Sequence, residues 1–164
     1  MPADFSLRLR PIRPEDDSFL AGLYASTRAE ELAVTGWSAE ETAAFCRQQY
    51  DAQSAHYREN YPGASLQVIE REGELLGRLY VARWENEIRI MDIALLPQFR
   101  GSGIGTQLLR DLQDEARGAA KSLTIHVERF NPALRLYERL GFQQAEDKGV
   151  YLLMSWESPP ELSS

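Results

Sequence analysis

From residue 100 to residue 105 the chain reads Arg-Gly-Ser-Gly-Ile-Gly. The apolar run Ile93-Ala94-Leu95-Leu96 precedes it and stops at Pro97. Ile104, Leu108, Leu109, Leu112 and Ala116 follow at the spacing of one helix face. The segment is therefore a strand, a tight turn and a helix. Glycines let the backbone turn sharply there and gather several N–H groups towards one point. A helix start carries unpaired N–H donors and a partial positive charge, so it suits phosphate. Arg100 adds a charge and Thr106 a hydroxyl. The turn predicts a site for a pyrophosphate-bearing ligand.

Three plain alternatives accompany that reading. A nucleoside-triphosphate loop requires Gly-Lys followed by Ser or Thr, and no lysine lies here. A dinucleotide-binding turn is suggested by Gly101-x-Gly103 at a helix start and by Glu128 after the next strand. However, its third glycine is replaced by Thr106, and too few strand–helix units remain to build a doubly wound sheet. A glycine-rich strand–helix joint with no ligand is the third.

The rest of the chain supplies a scaffold without a repeat or a linker. Phe5 to Ile12 alternates apolar and polar residues and reads as a strand. Pro14, followed by Glu15, Asp16 and Asp17, opens a helix. Ser38 and Glu41 form a capping box for a second helix reaching about Glu59. Strands are expected over 65–70, 75–83, 87–96, 123–127 and 150–156, with a short helix over 131–140. The fold class is α/β (α+β), a mixed and mostly antiparallel sheet of about six to seven strands with about four helices. One domain is expected over 1–157, with a frayed tail over 158–164.

Charge and composition remove some classes of function. Acidic residues outnumber basic ones 25 to 18, a net charge of -7, which opposes phosphate-backbone binding and so any nucleic-acid partner. The same field would attract a cationic amine. No apolar run reaches the roughly 20 residues needed to span a bilayer, and Met1–Phe5 lacks the features of a secretion signal. The single cysteine, Cys46, forms no internal disulfide and reads as an inert helix residue, so a cytoplasmic location is expected. No metal-ligand cluster is expected.

Residues Asp92 to Phe142 resemble the coenzyme-binding half of the GNAT superfamily of acyl-CoA-dependent N-acyltransferases. The hallmark Arg/Gln-x-x-Gly-x-Gly/Ala is read from Gln98, Gly101 and Gly103 or from Arg100, Gly103 and Gly105. Downstream, Asn131-Pro132-Ala133-Leu134-Arg135-Leu136-Tyr137-Glu138-Arg139-Leu140-Gly141-Phe142 is similar to the family's second block. The resemblance implies transfer of an acetyl group from acetyl-CoA, used as cosubstrate, to a primary amine of a small molecule or peptide. The transfer would be a direct attack in a ternary complex. A catalytically inactive acyl-CoA-binding sensor or partner-binding module is the alternative, and a homodimer is among the assemblies the resemblance allows.

The resemblance also assigns roles. The backbone of Ile93, Ala94 and Leu95 would pair with the pantetheine arm, and a backbone N–H there would meet the oxyanion. Amides from Arg100, Gly101, Ser102, Gly103, Ile104, Gly105 and Thr106 would hold the pyrophosphate. Asn131 would touch the pantetheine, although Asn before Pro132 is equally a helix cap. Tyr137, a phenol of ordinary pKa near 10, would protonate the departing thiolate, against the plainer reading of an apolar body in the stripe Ala133, Leu136, Leu140. Glu87 and Asp92 both stand as candidates for the general base, and both are also readable as strand-edge charges. Tyr57, Tyr61 and Trp37 are candidate liners of an acceptor pocket, while His56 and His126 read as structural.

Overall fold

The computed structural model describes residues 6–158. Phe5 of the expected first strand and residues 159–164 of the expected tail lie outside that range. In chain order the elements are β1 (Leu7–Pro11), α1 (Asp17–Ala33), α2 (Ala39–Asn60), β2 (Ser65–Arg71), β3 (Glu74–Arg83), β4 (Glu87–Leu95), α3 (Ile104–Ala119), β5 (Ser122–Glu128), α4 (Leu134–Arg139), β6 (Gln143–Asp147) and β7 (Tyr151–Trp156). The seven strands form one mixed, mostly antiparallel sheet in the order β1-β2-β3-β4-β5-β7-β6. The expected fold class is the one observed. By internal contacts the chain divides into two units, and strands β3 and β4 contribute residues to both.

The first unit comprises residues up to Tyr80 together with Asp92–Arg100. β1 pairs antiparallel with β2, from Leu7 opposite Arg71 to Pro11 opposite Gln67. Glu72 and Gly73, both with positive φ, make the tight turn from β2 into β3. Arg10 forks onto Asp16, with both nitrogen–oxygen distances 2.9 Å, and the same carboxylate accepts the backbone N–H of Arg13 at 2.8 Å. These bonds fix the entry to α1, whose first expected turn, Pro14–Asp16, is a separate 3-10 turn. α2 starts where the sequence places it. The Ser38 hydroxyl accepts from the Glu41 N–H, and the Glu41 carboxylate accepts from the Ser38 N–H. α1 packs on α2 around Leu20, Tyr24, Leu32, Cys46, Tyr50 and Val68.

The second unit comprises Val81–Met91 and residues 101–158. β4 runs parallel to β5, from Glu87 opposite Ser122 to Ile90 opposite Ile125. β5 pairs antiparallel with β7, and β7 with β6. α3 packs on β5 and buries the predicted stripe, Ile104, Leu108, Leu109, Leu112 and Ala116. Each fully buried leucine of this kind contributes about 1.5–3 kcal/mol.

Two elements depart from expectation. β6 carries Gln143, Gln144, Glu146 and Asp147 and is exposed along its whole length, so it has no buried face to impose an apolar alternation. α4 begins at Leu134 rather than Asn131, because Asn131 to Ala133 form a turn stabilised by the Asn131 side chain.

Candidate functional site

The glycine turn has the backbone its sequence demands. Gly101 has φ 72° and Gly103 has φ 91°, a left-handed conformation that costs about 1–2 kcal/mol for other residues. Gly103 is the N-cap of α3, and Ile104, fully buried, anchors the first helical residue. The first turn of α3 contains no acidic residue, so its N–H groups and positive dipole end are not answered by a carboxylate from the helix itself. Arg100 is exposed and folds back: its Nε donates to the Leu95 carbonyl at 3.1 Å and its Nη2 to the Ser26 hydroxyl at 3.3 Å. Its guanidinium therefore ties the turn to the end of β4 as well as adding charge.

The register of β4 on β5 runs from Glu87 to Ile90. Met91, Asp92, Ile93, Ala94 and Leu95 follow and are all half-buried. On the β3 side this segment is held closely. Leu96 donates its N–H to Leu76 at 2.9 Å. A Cβ on Gly77 would overlap the Ala94 carbonyl oxygen and come within 3.0 Å of the Leu95 Cα. Only glycine allows that approach.

Next to Gly77 stands Arg78, whose side chain is 3% exposed. Its Nε donates to the Asp92 carboxylate Oδ2 in a charge-assisted bond. Its Nη2 donates to the Gln53 amide oxygen at 2.7 Å, and the guanidinium lies 4.7 Å from the centre of the Tyr80 ring. Nη1 is buried and has no partner among the described residues. An unmet buried donor costs about 1–3 kcal/mol. Tyr57 meets Tyr80 edge-on at 5.8 Å. Burial, and then the neighbouring charge of Asp92, push the Tyr57 phenol well above its usual pKa, so it stays protonated.

Tyr57 and Tyr80 also line a cleft of about 620 Å³ shared with Tyr50, Ser54, Arg13 and Arg58. Of the expected acceptor-side aromatics, Tyr57 is thus in a cleft. Tyr61 packs edge-on against Tyr57, and Trp37 packs on Phe45 at 5.1 Å.

In the second unit Glu87 is held by donors. Its Oε2 accepts from Arg89 Nη2 at 2.6 Å and Nε at 3.0 Å, and from the Thr124 hydroxyl. His126 stands between Arg89, at 3.4 Å, and Lys148, at 3.1 Å. Burial and then these two cations lower its pKa, so the imidazole is neutral near pH 7. The Asn131 Oδ1 accepts the Ala133 N–H at 2.8 Å, a local side-chain turn, while the N-cap of α4 is Ala133 and not Asn131. Tyr137 is buried on α4, its ring edge-on to Phe142 at 5.7 Å. Cys46 is buried in the α1–α2 core. Among the described residues no three His, Cys, Asp or Glu side chains group as metal ligands. No described helix is long and apolar enough to cross a membrane.

Gly77, Arg78, Gln53 and Thr124 were not expected at a site. One signal for them existed: Arg78 is the only charge in the run Leu75-Leu76-Gly77-Arg78-Leu79-Tyr80-Val81-Ala82. A charge centred in a buried strand requires a partner.

The known proteins this chain is similar to agree on the family. The family model described as "Acetyltransferase (GNAT) family" matches residues 28–142. Streptothricin acetyltransferase of Streptomyces lavendulae is 32% identical over 96 residues, which are 56% of this chain and 51% of that protein. Aminoalkylphosphonate N-acetyltransferase of Salmonella typhimurium is 34% identical over 95 residues, 51% of this chain and 60% of that protein. The chain thus spans only about half to three fifths of these two relatives. The structure of PaiA N-acetyltransferase from Thermoplasma acidophilum, in complex with coenzyme A, shares the fold with a TM-score of 0.71. It is 17% identical and covers 93% of this chain and 99% of its own. With the family match running from α1 through the glycine turn to Phe142, this chain belongs to the acetyltransferase (GNAT) family.

Proposed function

We propose that the protein transfers the acetyl group of acetyl-CoA to a primary amine, by direct attack within a ternary complex. The observation that carries this reading is the left-handed Gly101 and Gly103 pair, which starts α3 with no acid in its first turn. Amides of residues 100–106 hold the pyrophosphate, and the backbone of Ile93, Ala94 and Leu95 pairs with the pantetheine amides.

The amine nitrogen bonds to the thioester carbon, the oxyanion is met by a backbone N–H of that strand, and the carbon–sulfur bond breaks. Tyr137 gives its proton to the departing thiolate. Asp92 receives the amine proton, directly or through water. Asp92 adjoins the coenzyme segment, whereas Glu87 lies six residues before Ile93. At about 3.3 Å per residue that is about 20 Å along the strand, out of reach of an acyl group near Ile93. The Asn131 side chain spends its Oδ1 on Ala133, which leaves its NH2 group for a pantetheine carbonyl.

No acyl-enzyme nucleophile is required, since side-by-side binding supplies proximity. A cytoplasmic setting fits the buried, unpaired thiol of Cys46.

Titration calorimetry with acetyl-CoA, paired with thiol release on a panel of amines, tests the proposal. The panel is an aminoalkylphosphonate, a peptide with N-terminal alanine and a polyamine. Two of these follow relatives named for such acceptors. Binding with turnover on at least one amine supports it. Binding without turnover makes the protein a coenzyme-binding module, and absence of binding removes both readings. Light scattering of the same samples reports whether a homodimer forms.

A further inference from the structure

The geometry points to Arg78 as a positioning residue for the reaction, acting through Asp92, an inference that rests on the acetyl-transfer reading above. Three observations converge on it.

First, Arg78 is a buried charge inside an apolar strand, and its ionic partner among the described residues is the carboxylate immediately before Ile93. Replacing a buried ion pair with apolar side chains is often neutral or stabilising, so holding the sheet together does not by itself account for it. Second, the guanidinium is fixed from three sides: Asp92 on Nε, Gln53 of α2 on Nη2, and the Tyr80 ring against its face. Such a fork holds one carboxylate oxygen in place and leaves the other, Oδ1, to accept a proton. The base is thereby oriented by a third group. Third, the preceding residue is Gly77, over which the Ala94 carbonyl closes so tightly that no Cβ fits. β3 and β4 are thus pinned at the backbone one residue before Arg78 and two after Asp92, so Asp92 is presented from a segment with little freedom to shift.

Arg78 does not touch either substrate in this account. It aims Asp92, and its loss acts on the chemical step rather than on coenzyme affinity.

The experiment is a double-mutant cycle of Arg78→Met and Asp92→Asn in the full chain, with Arg78→Lys as the conservative variant. The readouts are kcat, KM for the amine, acetyl-CoA Kd by calorimetry, and melting temperature. Each single variant is expected to lower kcat at least tenfold with Kd within about twofold of the parent. The double variant is expected to be no slower than the slower single one, because the second change removes something already lost. Arg78→Lys, which keeps the charge without the fork, is expected to recover part of the rate.

Multiplicative effects of the two changes would overturn the inference, as would an unchanged kcat in either variant. So would a rate loss that tracks melting temperature and Kd alone, the mark of a structural role. If Arg78→Met does not fold, the cycle is run with Arg78→Lys in its place and judged by the same criteria. Parent protein that turns over normally while the cycle is multiplicative removes this inference only. Parent protein that does not bind acetyl-CoA removes the acetyl-transfer reading and this inference with it.

Discussion

Gly77 of β3 faces Ala94 of β4 so closely that a methyl group at residue 77 would occupy the space of the Ala94 carbonyl oxygen. Gly77→Ala must therefore push two backbones apart at the segment assigned to pantetheine. The expected result is a lower melting temperature and an acetyl-CoA Kd weakened about tenfold or more, the latter equivalent to about 1.4 kcal/mol. Gly22→Ala is the control, since a methyl group on α1 there meets nothing within 4 Å and improves helix propensity. Its melting temperature should be unchanged or higher. Equal tolerance of both substitutions would show that the close approach has no consequence.

Gly103 needs its left-handed φ, and its N–H opens the proposed phosphate site. Gly103→Glu adds strain and places a negative charge where the pyrophosphate docks. Coenzyme binding should fall at least a hundredfold by calorimetry. Gly103→Asn, a residue that tolerates this backbone conformation, should keep more of the affinity. Affinity within threefold of the parent in the glutamate variant would remove the turn from the site.

Tyr137→Phe keeps the ring that packs on Phe142 and removes only the hydroxyl. If the phenol protonates the thiolate, kcat should drop about a hundredfold. Melting temperature and acetyl-CoA Kd should stay close to those of the parent. Steady-state kinetics with the best amine of the panel decides this, and an unchanged kcat would return Tyr137 to the core as a plain apolar residue.

Asp16 carries a stability prediction. The hydrogen bonds from Arg10, and then the backbone N–H of Arg13, hold its carboxyl below the usual carboxylate range despite burial. A folded-state pKa below the unfolded one stabilises the fold above about pH 4, and the contribution fades as pH falls through that region. Asp16→Asn should lower the melting temperature at pH 7 by about 3–6 °C, with the gap to the parent closing below about pH 4. Melting curves from pH 3 to pH 8 test this, and a gap independent of pH would refute the linkage.

What the sequence alone determined is local. The left-handed glycines before α3, the Ser38–Glu41 box, the stripe on α3 and the Asn131–Phe142 block all act within a few residues. Backbone conformation and helical spacing are therefore enough to reveal them. Tertiary structure decided everything that depends on a distant partner. It gave Arg78 its Asp92 and Gln53, placed Gly77 beneath Ala94, and bound Glu87 to Thr124. It also found β6, which pairs antiparallel with β7. A strand exposed along its length has no alternation to read, and a buried charge advertises its need for a partner without naming it.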